Sequence, residues 1–572
     1  MMRNSDIASV LFELAEIMDL KGDVFKRNAY RKAAQSIEDL DVEVSDYMSK
    51  GKLESIPGVG KAIARKIEEL VQTGGLRSLE ELRAEFPAGI MEMMKVPDVG
   101  PRTAVTLYRE LGVSDLEGLR KAAEGHRIRS LKGFGVKREE NILRGIELVQ
   151  GHAGRMLLGH ALPIAEAVVR HLRSGGMDEV SVAGSLRRWK DTVGDIDLLV
   201  GSDNPGAAMD LFTSYELVAA VISKGPTRST VRLVDGTQVD LRAVPRSSYG
   251  AALQYFTGSK EHNVVMRRRA IQQGYRLNEY GLFRRGSGEM VAGGDEDDIY
   301  RLLGLEPIPP ELREDRGEID AAERQRLPEL VREEDILGDF HVHTVLSDGK
   351  ATMREVVAEA VRRGYRYIGI TDHSSSLHIA HGLQADDLLA SVEEARQLSE
   401  ELGFPILRGA EVDIMEDGSL DYSQDILEQL DYVIGSVHSH LKMGREEMTE
   451  RILTALSCKE LNILGHPSGR LIGRREPYQV DMDRILEEAA RTGALLEVNA
   501  SLERMDLNDI GCRKAKELGA KVVLGTDSHW IEELDYMRFA VHTARRGWLE
   551  REDVVNTMPV EKVREIFRKR SA

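Results

Sequence analysis

Five short apolar runs recur after residue 336, YIGI, YVIGSV, NILGH, ALLEVN and KVVLGT, and helical segments separate them. Strand-length runs alternating with helices predict parallel strands joined by crossover helices, a layout that gathers functional residues at the strands' C-terminal ends. The run ends carry suitable residues: His373 in YIGITDH, Glu411 in LRGAEVDI, His438 in YVIGSVHSH, His466 in NILGHPSG, and Asp527 and His529 in VVLGTDSH. GDFHVHTVLSDG adds His341, His343 and Asp348, and if FHVHT is a strand, alternation sends both imidazoles to one face. An isolated His-x-His is as readily a solvent-facing pair as a ligand pair. Nine such residues at repeated strand ends point to a shared metal centre, and their imidazole and carboxylate chemistry suits zinc or manganese. His378, His381 and His440 are surplus and read as surface or surrounding residues.

With 572 residues the chain is too long for one core. Two cysteines exclude a disulfide framework or a thiolate zinc cluster. MMRNSDIASVLFELAEIMDL spreads its charges and lacks the apolar centre of a signal peptide, and no run is long enough to span a bilayer, so a cytoplasmic, non-membrane protein is expected. The formal net charge is -18, yet residues 1–300 hold 42 Lys and Arg against 43 Asp and Glu, whereas residues 301–572 hold 36 against 53. The first part is therefore free to carry basic patches, and the acidic second part suits cations. LGLEPIPPELREDRGEIDAAERQRLPELVREEDI, with prolines and dense mixed charge, reads as a linker.

Residues 1 to about 150 read as short amphipathic helices. IPGVGKAIARKI, VPDVGPRTAVTL and LKGFGVKREENI each place a glycine-bearing hairpin before a helix with early basic residues. Gly58, Gly60, Gly100, Gly133 and Gly135 let backbone amides approach a phosphate, while Lys61 and the helix N-terminus add positive potential. Three such hairpins make a sequence-blind clamp on a nucleic-acid backbone. VFKRNAYRKAAQSI is a basic helix in which Lys26 and Tyr30 suit DNA, although a solvated helix face accounts for its charges nearly as well.

VAGSLRRWKDTVGDIDLLV sets Asp195 and Asp197 on one face of a strand. Such a pair can hold two magnesium ions about 3.5–4 Å apart for in-line phosphoryl displacement. Asp240 in QVDLRAVP offers a third carboxylate, Gly184 and Ser185 open a loop or helix start suited to phosphates, and Arg187 and Arg188 can neutralise a triphosphate.

The order GSxRR, GDIDLL, VDLR and then YFTGSKEHNVVMRRRAIQQGYRLNEYGLF resembles a family X DNA polymerase of the polymerase-β type over residues 20–300. The resemblance implies Asp195, Asp197 and Asp240 as magnesium or manganese ligands, with Asp240 also polarising the primer 3′-hydroxyl. It implies Gly184, Ser185 and Arg188 on the dNTP triphosphate, and Tyr255, Phe256 and Gly258 as the turn that senses the sugar. Asn263 and Arg267 would lie against the nascent base pair and template. Lys260 stands where vertebrate relatives carry an acid. Lys66 aligns with the family's Schiff-base lysine, but Ala62 replaces a supporting lysine, so Lys66 is read as a phosphate-binding residue.

The second half is similar to a PHP (polymerase and histidinol phosphatase) domain over residues 336–572. That resemblance implies up to three zinc or manganese ions: one on His341, His343, Glu411 and Asp527; one on Glu411, His438 and His466; one on Asp348, His373 and His529. Together the resemblances imply an all-α helix-hairpin-helix region (1–85 lyase-like, 86–150 duplex-binding), an α+β nucleotidyltransferase palm (151–243) and a nascent-base-pair subdomain (244–302). A linker (303–335) and a distorted (β/α)7-type PHP barrel (336–572) follow. The implied function is gap-filling synthesis in DNA repair on gapped or primer-template DNA with dNTPs, by a monomer. The PHP site would act as 3′-5′ exonuclease, abasic endonuclease or phosphatase. A barrel nuclease or phosphatase beside a non-catalytic polymerase-like platform is the alternative.

Overall fold

The computed structural model describes all residues except 1–3, 22, 39, 41–43, 74, 80–86, 88, 95, 97, 98, 132, 152–154 and 572. Pro97, Asp98 and Lys132 of the hairpin motifs lie outside the described residues. The chain divides into two compact units, the first comprising Met1–Ala153 with Gly473–Arg475 and the second Gly154–Ile472 with Glu476–Ala572.

The first unit is helical. Asn4–Leu20, Val24–Glu38 and Lys61–Thr73 share a core that includes Leu11, Leu14, Ile37, Ile56 and Ile67. Pro101–Leu111, Leu116–Glu124 and Val136–Gly151 build a second core around Val99, Leu107, Leu119 and Ile142. Local signals set the ends: Pro101 begins its helix, left-handed Gly112 ends it, and Asp115 caps the next by accepting from the Gly118 amide at 2.7 Å.

The second unit begins with a five-stranded sheet, β1 (Glu179–Val182), β2 (Ile196–Gly201), β3 (Val218–Lys224), β4 (Arg228–Leu233) and β5 (Gln238–Val244), in the order β1-β2-β5-β4-β3. Only β2 and β5 run parallel, and their register sets Asp197 directly beside Asp240. Helices Leu158–Ser174 and Pro205–Thr213 cover one face. Tyr249–Thr257, Lys260–Gln272 and a small sheet of β6 (Tyr275–Asn278), β7 (Gly281–Arg284) and β8 (Met290–Ala292) follow.

Seven parallel strands then form a nearly closed barrel: β9 (Gly338–Asp339), β10 (Tyr367–Ile370), β11 (Ile406–Asp413), β12 (Tyr432–Ser436), β13 (Ile463–Leu464), β14 (Leu495–Asn499) and β15 (Val522–Gly525). A Val342–Ser528 bridge joins the ends of the series. Every residue of these strands is buried, because crossover helices cover the outside, and this is why they read as continuous apolar runs. FHVHT is not a full strand. β9 stops at Asp339, and His341 and His343 flank the lone bridge at Val342, where the Asp527 amide donates to the His341 carbonyl at 2.9 Å.

The linker 303–335 is a packed strap. Leu305, Ile308, Leu312, Ile319 and Leu330 share a core with Met266 and Tyr300. Its acids are paired inside: Glu318 with His262 Nδ1 at 2.7 Å, Glu311 with His542 Nδ1 at 2.9 Å and Arg545 Nε at 2.7 Å. Ile472, Met505 and Phe539 of the barrel half also enter the core of the five-stranded sheet.

Candidate catalytic sites

All nine strand-end residues of the barrel converge. Glu411, at the end of β11, is central: Oε2 lies 3.4 Å from His341 Nε2, 3.6 Å from His343 Nε2 and 2.8 Å from His373 Nδ1. Its Oε1 lies 3.4 Å from His438 Nε2 and 3.0 Å from His466 Nε2. Asp527 Oδ1 is 3.2 Å from His343 Nε2 and 3.5 Å from His341 Nε2. Asp348 Oδ1 sits 3.3 Å from His529 Nε2 and 3.6 Å from His373 Nε2. Three groups thus lie close enough to share an ion: His343, Asp348, His373 and His529; His341, His343 and Asp527; His373, Glu411 and His438.

These residues fit metals on physical grounds. His341 Nε2, His343 Nδ1, His373 Nδ1, His466 Nδ1 and Glu411 Oε2 are buried polar atoms without hydrogen-bond partners. Leaving such atoms unpaired costs free energy that a bound cation removes for the atoms it ligates. Burial, reinforced by neighbouring His373 and His529, brings His343 down to about 4, and burial with Arg504 brings His466 to about 3, so both stay neutral and keep lone pairs to donate. Burial opposes charge on His438 and His529 too, but Glu411 and Asp413 around the first, and Asp348 and Asp527 around the second, raise each to about 9.

Sequence reasoning missed the surrounding acids. Glu497 on β14 receives His341 Nδ1 at 2.6 Å and the His466 amide at 2.6 Å, and Asp413 receives His438 Nδ1 at 2.5 Å. Each fixes which ring nitrogen points inward. Their signal was a carboxylate inside a buried apolar strand, as in ALLEVN. His378 lies in a short turn, and His440 is half exposed beside Glu416 at 3.5 Å; neither is among the grouped ligands.

On the sheet of the preceding region, Asp195 and Asp197 flank buried Ile196 and face solvent, as alternation requires. Asp240 is buried and accepts from Thr230 Oγ1 at 2.5 Å, Gln238 Nε2 at 3.1 Å and Arg228 Nη2 at 3.2 Å. Asp197 keeps one open face, but the protein atoms crowding its others, then Asp240 and Asp195, push its carboxyl up to about 6. Asp197, Asp240, Arg228, Arg242 and Phe256 line a cavity of about 120 Å³. Gly184, left-handed at φ 62°, starts the helix Gly184–Arg187 so close to Asp197 that a Cβ would fall 2.6 Å from its Oδ2. Ser185 lies on that first turn. Arg187 is engaged bidentately by Glu296 and Arg188 by Glu314 at 3.0 Å.

Tyr255 and Phe256 are half-buried at the end of their helix, with rings 5.1 Å apart edge to face, and Arg242 lies over the Phe256 ring. Gly258 is left-handed at φ 72°. Asn263 is buried and donates to the Tyr255 carbonyl at 2.7 Å while accepting from Gln254 at 2.8 Å, so it shapes the turn from within. Arg267 is half-buried on the next helix.

In the helical unit, Gly60, Gly100 and Gly135 each directly precede a helix, and a Cβ on any of them meets nothing within 4 Å. Gly58 and Gly133 are left-handed, with φ 82° and 86°. Lys61 is exposed, Lys66 Nζ donates to Ser78 Oγ at 2.5 Å and burial lowers its pKa, and Lys26 pairs with Asp23 at 3.0 Å. Tyr30, expected against DNA, has its ring in the core with 8% exposure, because its helix needs an apolar residue at that turn.

The sequence matches a helix-hairpin-helix domain over residues 2–76, a SAM-like helix-hairpin-helix tandem over 90–147, the DNA polymerase beta thumb over 252–314 and the PHP domain over 339–501. It is 38% identical over 575 residues to the DNA polymerase/3'-5' exonuclease PolX of Bacillus subtilis (strain 168), with all of both chains covered. DNA polymerase lambda of Rattus norvegicus is 28% identical over 54% of this chain and 56% of its own. A probable phosphatase of Thermoanaerobacter sp. (strain X514) is 30% identical over 41% of this chain and 94% of its own.

Proposed function

Because the chain belongs to the family X DNA polymerases that carry a C-terminal PHP domain, we propose that it extends primer 3′ ends across short gaps during DNA repair and hydrolyses 3′ ends at the barrel site. The observation that carries this reading is the presence, in one chain similar end to end to a polymerase/exonuclease, of two separate acid-rich centres, each with its own constellation.

At the sheet, Asp195, Asp197 and Asp240 would hold two magnesium or manganese ions, which when bound neutralise charge in an in-line displacement. Asp240 Oδ1, kept an acceptor by Thr230 and Arg228, orients the primer hydroxyl. Gly184 lets the backbone near Ser185 approach the triphosphate, Arg188 contributes positive charge, and the Tyr255–Gly258 turn shaped by Asn263 abuts the sugar. Arg267 supports the template side.

At the barrel, the nine ligands would hold up to three zinc or manganese ions, which when bound provide charge neutralisation and a nucleophile near neutral pH. Glu411 spans the set, and Glu497 and Asp413 hold the imidazoles in the donating tautomer. Exonuclease is the activity proposed; abasic endonuclease and 3′-phosphatase share the chemistry. Gly58, Gly60, Lys61, Lys66, Gly100, Gly133, Gly135 and Lys26 would bind backbone phosphates. The protein is proposed to work as a cytoplasmic monomer; no helix among the described residues is long and apolar enough to cross a membrane.

The test is a 5′-labelled primer annealed across a one-nucleotide gap, incubated with manganese with and without dNTPs. Extension with dNTPs and shortening without them supports the reading. Shortening alone would move it to a barrel nuclease on a polymerase-like platform.

A further inference from the structure

Arg188 is held by Glu314 of the strap, and Arg546 of the barrel half braces that carboxylate. Its Nε donates to Glu314 Oε1 at 3.0 Å and its Nη1 to the Thr257 carbonyl at 2.5 Å, which leaves Nη2 as the nitrogen without a hydrogen-bond partner among the described residues. The same Glu314 oxygen accepts from Arg546 Nη1 at 3.0 Å, and that nitrogen also donates to the Arg188 carbonyl at 2.6 Å. Arg546 Nη2 continues to Asp509 Oδ2 at 2.7 Å, an oxygen shared with Arg316 Nη1 at 2.9 Å. The side chains of Arg546, Glu314 and Arg188 are only 5%, 11% and 11% exposed. One carboxylate oxygen therefore joins an arginine beside the Gly258 turn to an arginine on the barrel helix Met537–Arg546.

We infer that Glu314 and Arg546 are positioning residues for dNTP binding: they fix the Arg188 guanidinium so that Nη2 meets the triphosphate, and thereby make nucleotide affinity depend on the seated barrel half. This rests on the polymerase reading above. A free arginine stem loses rotamer freedom on binding, whereas one clamped beforehand does not, so preorganisation appears as affinity. Removing either clamp leaves the other charges of a buried network uncompensated, so the two residues act together.

The experiment measures KM for dNTP and kcat during gap filling by the full chain and by Arg546→Met, Glu314→Gln, the double variant and Glu166→Gln. The last breaks a different contact between the halves, Arg538 Nη1 to Glu166 Oε1 at 3.0 Å. The expected result is that Arg546→Met and Glu314→Gln each raise KM about tenfold with kcat within about twofold, and that the double variant matches the singles. Glu166→Gln keeps the wild-type KM, and all variants shorten primers at the wild-type rate when dNTPs are omitted. An unchanged KM in both single variants overturns the inference, as does an equal rise in Glu166→Gln, which would assign the effect to general seating. If Arg546→Met fails to fold, the near-isosteric Glu314→Gln decides by the same KM criterion. Wild-type protein that does not extend at all overturns the polymerase reading itself, a distinguishable failure.

Discussion

A carboxylate in this protein is tuned by what surrounds it, and Asp197 shows the consequence. Its carboxyl is raised to about 6, so in the ion-free protein it binds a proton more tightly folded than unfolded. The sign follows: stability falls as pH rises from the usual value near 3.8 through about 6, because the fold resists the ionised form. Asp197→Asn should therefore raise the thermal midpoint of chelator-treated protein at pH 8 and not at pH 3.5, as followed by circular dichroism. The same substitution should abolish primer extension, and the magnesium needed for half-maximal extension by wild type should climb as pH falls below about 6. In the barrel, Glu497→Gln keeps the size but weakens the grip on His341 and the His466 amide. Exonuclease activity and the affinity for the barrel's divalent metal, followed as metal content by atomic absorption after dialysis, should each fall about 10- to 100-fold.

At the scale of elements, the strap makes a pH prediction of the opposite sign. Burial opposes ionisation of Glu311, yet His542 and Arg545 hold its carboxyl down at about 2 against a usual 4.5. Its stabilising contribution is complete above about 4.5 and is lost as pH falls toward 2. Glu311→Gln should flatten the acid limb of a stability–pH curve measured by urea titration, while an unchanged limb would show that the pair contributes nothing. The strap also shows why part of the fold was hidden from sequence. ELREDRGEIDAAE reads as part of a linker, but Glu311, Arg313 and Glu318 are all buried and paired with residues remote in sequence. The barrel runs were legible because strands buried on both faces must be apolar throughout. Whether FHVHT is a strand stayed open in the sequence, since alternation alone does not reveal that Val342 makes a single bridge. Tyr30 misled for a similar reason: a helix of basic residues hides which one turns inward. The hairpin glycines allow a cleaner test. Gly60→Ala and Gly100→Ala add a Cβ where nothing lies within 4 Å, so melting should hold while affinity for gapped DNA drops several-fold in fluorescence anisotropy.

Over the whole molecule, charge is divided by task. The near-neutral first 300 residues carry the hairpins and the Asp195, Asp197 and Asp240 face, while the strongly acidic remainder houses the barrel with its clustered imidazoles and carboxylates. Both side-chain clusters were readable because imidazoles and carboxylates at strand ends are residue types that a core would otherwise exclude; the acids behind them and the Glu314 link were not, since their partners are set by tertiary contact alone. The proposed function requires two independent phosphoryl-transfer centres in one chain. Its most direct test is a comparison of Asp197→Ala, His341→Ala and wild type on a manganese-supplied, 5′-labelled primer at a one-nucleotide gap. Asp197→Ala is expected to shorten primers but never extend them, and His341→Ala to extend but never shorten them. Loss of both activities in either variant, or of neither, would contradict it.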